Sequence, residues 1–431
     1  MYRKFYEELS FWEDNNIKEP MLIMGARQIG KTWLIKKFCE DRYKDYVYIN
    51  LEEREDIKSV FEGNLSPKTI LTNIGIILGK KINTNTTIVI DEIQQSERAL
   101  TSLKYFCEAE ENYRIIVAGS LLGVKINRFE TSFPVGKVYI KRMYPMDFEE
   151  FLLACDEHDL VECIKNSYAN MSFVPEAIHN KALGLYHDYL IVGGMPQVVM
   201  NYVANDKDIM LFNRDYLEFL RLAYLADMSK YVINATETVK ISAVYESIPR
   251  QLARDNPKFK YKEIKETAVK RDYYGPIDWL ASSGMVYKIN KLEIPNTPIK
   301  SYTNQDSFKL YMSDVGILCK MCGIYPNDLS VSNNNIYKGA VIENYVFEQL
   351  IPKHSDLFYY KPSDSMEIDI VTNIEGNVVP IEIKSGRHKR STSLKNYIAK
   401  HSPEYSIRIS ENNFGMIDNL KSVPLYAVFC I

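Results

Sequence analysis

The chain has 431 residues, 46% hydrophobic and 25% charged, which excludes extensive disorder and, at roughly 150 residues per domain, a single core. Lysine and arginine number 53 against 56 acidic residues, a net charge of −3, so the whole molecule exerts no pull on nucleic acid or anionic lipid and any polyanion site must be a local patch. The start has no apolar run behind Arg3-Lys4, and the longest uncharged apolar stretch, Tyr189 to Val203, is broken by Gly193-Gly194 and Pro196 short of the ~18 residues a span needs; the expectation is a cytoplasmic chain with no membrane span.

Residues 2 to 12 read as a short amphipathic helix. Pro20 then opens an apolar run, Met21 to Met24, that Gly25 ends: a buried strand by length and punctuation. A helical pattern from Thr32 puts Leu34, Ile35 and Phe38 on one face. Further apolar strands are expected at Tyr46–Leu51, Thr87–Ile90 and Arg114–Ala118 with helical patterns between, an alternation that predicts a parallel sheet covered by helices on both faces. From about 152 to 240 the patterns are helical. Residues 241 to 320 then give helix, basic turn, helix and two strands, Met285–Leu292 and Phe308–Met312, the order of a winged helix-turn-helix. A Ser/Asn-rich linker at 330–335 leads to a helix over 338–350 and strands at 357–360, 367–372 and 378–384, a small α/β module. Seven scattered cysteines suit a reducing compartment, and Cys319-Lys-Met-Cys322 has no second Cys or His pair nearby, so helical packing is expected there rather than zinc.

Gly25-Ala26-Arg27-Gln28-Ile29-Gly30-Lys31-Thr32 satisfies G-x-x-x-x-G-K-[ST] between an expected strand and an expected helix, the context that motif requires. The glycines let backbone N–H groups wrap phosphates, Lys31 supplies charge to the outer phosphate oxygens, and the Thr32 hydroxyl is placed to ligate Mg²⁺. Ile88-Val-Ile-Asp91-Glu92 ends a buried strand with two carboxylates, Asp91 as the magnesium partner and Glu92 as the group that polarises an attacking water. Ser120 in Ala118-Gly119-Ser120 is either a γ-phosphate sensor or a turn serine. ATP and Mg²⁺ are the expected cofactors.

These motifs, with Ile90-Asp-Glu-Ile-Gln94, Tyr144-Pro-Met-Asp-Phe-x-Glu-Phe151, Tyr189-Leu-Ile-Val-Gly-Gly-Met-Pro196 and Lys338-Gly-Ala-Val-Ile-Glu-Asn344, resemble the bacterial and archaeal AAA-type ATPases that carry a conserved C-terminal domain of unknown function. The resemblance spans nearly the whole chain. It implies an α/β P-loop ATPase domain over 1–152, a helical lid or linking domain over 153–240, a winged helix over 241–329 and a nuclease-like domain over 330–431. Where that family often has Gly-Arg, this chain has Gly136-Lys137, leaving Arg27, Arg98, Lys137 and Arg142 as candidates to neutralise transition-state charge or as plain surface cations.

From Arg250 to Arg271 eight basic residues (Arg250, Arg254, Lys258, Lys260, Lys262, Lys265, Lys270 and Arg271) face Asp255, Glu263 and Glu266, with Tyr261, Tyr273 and Tyr274 interleaved. Such a segment suits DNA phosphates, a protein-docking surface or a solvated face. Glu367-Ile-Asp369 and Glu382-Ile-Lys384 sit on adjacent expected strands with Glu343 on the preceding helix. Strand alternation puts Glu382 and Lys384 on one face. This set is similar to the PD-(D/E)xK nuclease core, in which the acids hold a divalent cation and the lysine helps activate water; the competing reading is a cross-strand ion pair. The basic run Arg387-His388-Lys389-Arg390 adds an edge for a phosphate backbone. The resulting expectation is an ATPase acting on DNA, with self-association as a further expectation; the alternative is a signalling or assembly ATPase whose C-terminal half is a protein scaffold without nuclease chemistry.

Overall fold

The computed structural model describes residues 1–120, 133–232, 234–254, 257–330, 336–363, 365–385 and 392–431. The basic run 387–390, Asp255 and residues 331–335 of the expected linker lie outside them. Two compact units emerge: Tyr2–Tyr144 with Ser282–Gly284, and Met1 with Pro145–Ala281 and Met285–Ile431. Among the described residues no helix is long and apolar enough to cross a membrane.

The first unit is a five-stranded parallel sheet, β1 (Met21–Met24), β2 (Tyr46–Asn50), β3 (Thr87–Asp91), β4 (Ile115–Gly119) and β5 (Tyr139–Arg142), in the order β2-β3-β4-β1-β5. β3 and β4 are buried at every position, which explains their unbroken apolar sequences, whereas β2 alternates because only one of its faces is covered. Leu22, Val47, Ile49, Ile88, Ile90, Leu100, Leu103, Ile115 and Val117 share one core, each contributing about 1.5–3 kcal/mol by burial. The first helix starts at Phe5, not residue 2, since Arg3 is drawn into a buried contact described below.

The second unit opens with helices Phe148–Ala154, His158–Asn170, Glu176–Val192, Pro196–Ala204, Asp215–Tyr231 and Ala235–Leu252. A helical turn at Tyr261–Glu263 and a helix over Lys270–Ser283 precede an antiparallel pair, β6 (Val286–Leu292) and β7 (Thr303–Met312). This pair does not stand alone. β6 also pairs in parallel with β8 (Leu357–Ser363), so β6 and β7 form one flank of an eight-stranded sheet completed by β9 (Met366–Ile374), β10 (Asn377–Ile383), β11 (Ser406–Ser410), β12 (Gly415–Ile417) and β13 (Leu420–Pro424). The hairpin expected as the wing therefore shares a sheet with the strands expected beyond residue 330. β11 to β13 and the helix Thr392–His401 carry no strong apolar run and were not foreseen from the sequence. Cys319 is buried within the helix Val315–Met321, and Cys322 caps its end.

Three of the quoted sequence signatures meet in a buried polar knot. The Ile336–Leu350 helix is clamped to β7 by Asn344, whose side-chain oxygen accepts from Met312 N (2.7 Å) while its amide donates to Met312 O (3.1 Å). One turn on, Gln349 Oε1 accepts from Phe148 N at 2.7 Å, and Glu348 Oε2 accepts from Val315 N at 2.8 Å. Asp314 caps the Val315–Met321 helix through Ile317 N (2.9 Å) and also accepts from Gly194 N (2.7 Å). Glycine is required at 194, where a Cβ would lie 2.0 Å from Met146 O. Tyr189 Oη lies 2.6 Å from Met146 O and 2.7 Å from Glu348 Oε1. One hydroxyl proton can serve only one of these acceptors, so the other contact calls for a proton on Glu348. Burial, then the charge of Asp314, pushes the Glu348 carboxyl well above its ordinary range, and burial pushes Asp314 up to about 6 against its backbone N–H partners.

Acids raised in the folded state contribute stability that is present below their unfolded pKa and lost as pH rises through the folded value. Glu348→Gln supplies the donor and the acceptor this geometry uses without a titrating proton. Its melting temperature relative to wild type should therefore be higher at pH 8 than at pH 5, by calorimetry in matched salt; a difference that stays constant or shrinks removes the proton from Glu348.

Candidate functional site

The connection after β1 is too tight for a side chain at its first residue: a Cβ on Gly25 would lie 2.4 Å from Met143 O and 2.6 Å from Ile29 Cδ1. Gln28 and Gly30, at φ 64° and 90°, turn the chain so that the helix Lys31–Arg42 starts at the loop's end, leaving backbone N–H groups of the first turn for an anion. Ala26 and Ile29 are buried, whereas Gln28 is exposed. The loop is braced from outside by Arg3, a buried guanidinium that donates to Ile29 O (2.6 Å) and Tyr144 O (2.7 Å).

Lys31 is buried and donates to Gly25 O (3.0 Å) and Ala26 O (2.6 Å), so its ammonium is folded back over the loop. Burial lowers its pKa to about 8, against the raising influence of Glu92 and Asp91. A phosphate chain would supply the negative charge this desolvated ammonium lacks. Thr32, the next residue, donates from Oγ1 to Asp91 Oδ2 at 2.6 Å, and Tyr48 on β2 donates to the same oxygen at 2.8 Å. Asp91 Oδ1 accepts from Glu92 N at 2.9 Å. Among the described residues the side-chain hydrogen bonds of Asp91 are thus to neutral donors, and the register that pairs Asn50 with Asp91 brings Tyr48 within reach.

Glu92 adopts a left-handed backbone, φ 53°, at the end of β3, a conformation that costs a non-glycine residue about 1 kcal/mol or more. Its Oε2 accepts from the Gln94 amide and from Ser120 Oγ at 3.4 Å. Burial, then Asp91, raises its pKa, with Gln94, Lys31 and Arg27 acting in the opposite direction. Arg27 Nε donates to Ser120 Oγ at 3.3 Å, so Ser120 joins the loop to Glu92. Of the other cations considered for transition-state charge, Arg98 is spent on Phe61 O and Gly63 O, both at 2.7 Å, and Lys137 pairs with Glu108 at 3.1 Å. Arg142 lies on β5, partly buried.

In the second unit, Glu343, Asp369, Glu382 and Lys384 line one cavity of about 480 Å³ with Arg254 at its margin. The antiparallel register pairing Ile381 with Ile370 sets Glu382 abreast of Asp369, which is what the D-x₁₂-E spacing amounts to across a hairpin. Lys384 pairs with Glu382 Oε1, while Glu382 Oε2 is buried with no partner among the described residues. Asp369 Oδ2 accepts from Ile383 N at 2.7 Å. The departure from the expected metal cluster is Lys309 on β7, 1% exposed, which reaches Glu343 Oε1 at 2.8 Å and Glu367 Oε1 at 2.9 Å. Tyr311 donates to the same Glu343 oxygen at 2.5 Å, and Lys361 pairs with Glu367 Oε2 at 2.8 Å. Burial would lower the Lys309 ammonium, but Glu343 and Glu367 more than offset that and hold it above its usual range; burial, then Glu382 and Glu343, drives Asp369 well above its own. Among the described residues no three of His, Cys, Asp and Glu are arranged to hold a metal ion.

In the basic segment, Lys258, Lys260, Lys262, Lys265 and Arg271 are exposed; Arg254 pairs with Glu263, Lys270 with Asp306 and Arg271 with Asp272 at 3.9 Å. Sequence reasoning missed Arg3, Tyr48, Lys309 and Tyr311, whose partners are set by tertiary packing. Two others were within reach: Gln94 follows Glu92 by two residues on a helical turn, and Glu367 shares a strand face with Asp369.

Residues 18–152 match the model of an AAA domain, and residues 183–328 and 338–428 match two domains of unknown function, DUF8612 and DUF4143. A comparison with curated proteins found no match. Among solved structures, the Walker-type ATPase PABY2304 of Pyrococcus abyssi is similar at 16% identity and TM-score 0.42, covering 74% of this chain and 95% of that one. The Aeropyrum pernix ORC2 protein, solved in ADPNP and ADP complexes, is similar at 14% identity and TM-score 0.37, covering 75% and 93%. Cdc6p of Pyrobaculum aerophilum is similar at 12% identity and TM-score 0.26, covering 79% and 93%. The family match and the geometry of residues 25–32, 91 and 92 agree: the chain carries an AAA-type P-loop ATPase domain, followed by two domains of unknown function.

Proposed function

We propose that this chain is a magnesium-dependent ATPase that couples nucleotide binding and hydrolysis to an action on DNA through residues 241–431, read as a winged-helix segment (241–329) and a nuclease-like segment (330–431). The observation that carries the ATPase reading is the short Thr32–Asp91 hydrogen bond at the mouth of the phosphate loop, with Glu92 held beside it by Gln94 and Ser120. Thr32 Oγ1 and Asp91 Oδ2 lie 2.6 Å apart, a pair of oxygen donors that fits Mg²⁺: Thr32 would ligate it directly and Asp91 would face it, and the ion would supply positive charge to the outer phosphates. Lys31 turns from its loop carbonyls toward the phosphate chain. Glu92 orients the attacking water and takes its proton, for which a carboxyl raised by burial is suited. Ser120, bonded to Glu92 and Arg27, reports on the occupant of the outer phosphate position.

The DNA part rests on Lys258, Lys260, Lys262 and Lys265, which are exposed along the basic segment. One observation favours the second reading, a signalling or assembly ATPase with a C-terminal protein scaffold: Lys309 already fills the carboxylate cluster that nuclease chemistry would need. ATP turnover measured with and without single-stranded, duplex and branched DNA separates them, stimulation supporting the first and indifference the second.

Lys31→Ala should lose ATP binding. Glu92→Gln should keep it while turnover falls by roughly 10²-fold or more, since the phosphate cradle remains and the base is gone; equal turnover would clear Glu92 of that role. Nucleotide affinity of wild type should weaken as pH rises through about 8, where Lys31 loses its proton, by up to roughly tenfold per pH unit. Isothermal titration at pH 7 and 9 checks this, and a flat profile would mean that Lys31 does not face the phosphates. Replacing Lys260, Lys262 and Lys265 together by Ala should flatten the salt dependence of DNA binding by up to roughly three log-log slope units, evenly across sequences. An unchanged slope in fluorescence anisotropy would place any DNA contact elsewhere.

A further inference from the structure

The carboxylate cluster of the second unit holds four acids, Glu343, Glu367, Asp369 and Glu382, within reach of three ammonium groups, Lys309, Lys361 and Lys384. A divalent site built from these acids needs carboxylate oxygens left over for the ion. Few are. Glu343 Oε1 accepts from both Lys309 and Tyr311, and the two oxygens of Glu367 are divided between Lys309 and Lys361. Asp369 has one oxygen tied to a backbone N–H and Glu382 has one on Lys384, while Glu382 Oε2 is shielded from solvent without a partner among the described residues. The tie between Glu343 on its helix and Glu367 on β9 is a single nitrogen, Lys309 Nζ, within 3 Å of both carboxylates and with the Tyr359 ring 5.0 Å away. That is where a cation bridging the two acids would sit.

We propose that the Lys309 ammonium is the resident cation of this cluster, standing between Glu343 and Glu367 in place of a divalent ion, so that the site as folded is closed to metal. The inference is independent of ATP hydrolysis: absence of turnover in wild type would count against the ATPase reading and leave this one untouched. Removing the ammonium alone leaves the part-buried Glu343 without its lysine and Glu367 with Lys361 alone, a destabilising change unless another cation enters. A divalent ion of oxygen-binding type can do so, drawing on Glu343, Glu367, Asp369 and the spare oxygen of Glu382.

The test is Mn²⁺ binding to the full-length, nucleotide-free chain, followed by electron paramagnetic resonance and thermal melting, in wild type, Lys309→Met, Lys309→Gln and each with Asp369→Asn. The Asp369→Asn background isolates this cluster from any ion held at Thr32 and Asp91. Wild type should show no Asp369-dependent uptake. Lys309→Met should take up about one Mn²⁺ per chain and gain more than ~3 °C in melting temperature from it, both lost with Asp369→Asn. Lys309→Gln, which keeps a hydrogen-bond donor, covers failure of the Met variant to fold, and a variant that folds only with Mn²⁺ present supports the proposal. Asp369-dependent uptake by wild type overturns it. So does the lack of a metal response in both variants, folded or not, because the ammonium then does not hold a cation's place.

Discussion

A carboxylate taken out of water must find a cation, a set of N–H or O–H donors, or a proton, and the buried acids of this chain use all three. Asp91 relies on neutral donors, Thr32, Tyr48 and the Glu92 amide. Asp314 takes backbone N–H groups and Glu348 takes a proton, in the knot that joins Met146, Gly194 and the helix Ile336–Leu350. Glu343 and Glu367 take Lys309. Each choice sets what the acid can still do. An acid satisfied by neutral donors keeps its charge for an incoming cation; one satisfied by an ammonium has already given it up.

That difference separates the two acid sites. At the phosphate loop the lysine and the acids are kept apart in their bonding: Lys31 bonds to loop carbonyls and Asp91 to hydroxyls, so they influence one another through space without sharing a hydrogen bond among the described residues. On the reading proposed above, a polyphosphate with its metal would offer the opposite charge to both. Lowering of Lys31 by burial and raising of Glu92 by burial express the same stored imbalance, which the ligand relieves. In the C-terminal cluster the imbalance is already relieved from within the chain.

The sequence made the first site legible because its parts are contiguous or punctuate strands. β3 and β4 are covered on both faces and read as unbroken apolar runs, and the loop motif needs only neighbouring residues to be recognised. Asp91 and Glu92 follow β3 directly. Arg3, Tyr48 and Lys309 were hidden for the opposite reason: each acts on a partner 26 or more positions away, Ile29, Asp91 and Glu343, and nothing in a local pattern announces the pairing. The order helix, turn, helix, hairpin was read correctly as elements, yet the pairing of β6 with β8 depends on a parallel contact between segments more than sixty residues apart. The same β6–β7 hairpin delivers Lys309 to the cluster.

A lysine on that hairpin, facing acids contributed by β9 and a later helix, does more than neutralise charge. β7 is tied to the Ile336–Leu350 helix twice, through Asn344 at Met312 and through Lys309 and Tyr311 at Glu343. The first tie uses backbone groups and tolerates any neighbouring side chains; the second depends on a specific ammonium. If only mechanical attachment were needed, the Asn344 clamp and the stacking of Tyr311 on Phe347, with ring centroids 4.2 Å apart, would hold the helix without gathering four part-buried or buried carboxylates. An all-apolar contact at the same place would avoid the desolvation cost altogether, as replacement of buried ion networks by well-packed hydrophobic residues is often neutral or stabilising. The ion cluster is therefore more than the attachment of this helix to β7 requires, since the Asn344 clamp and the Tyr311–Phe347 stack already supply that.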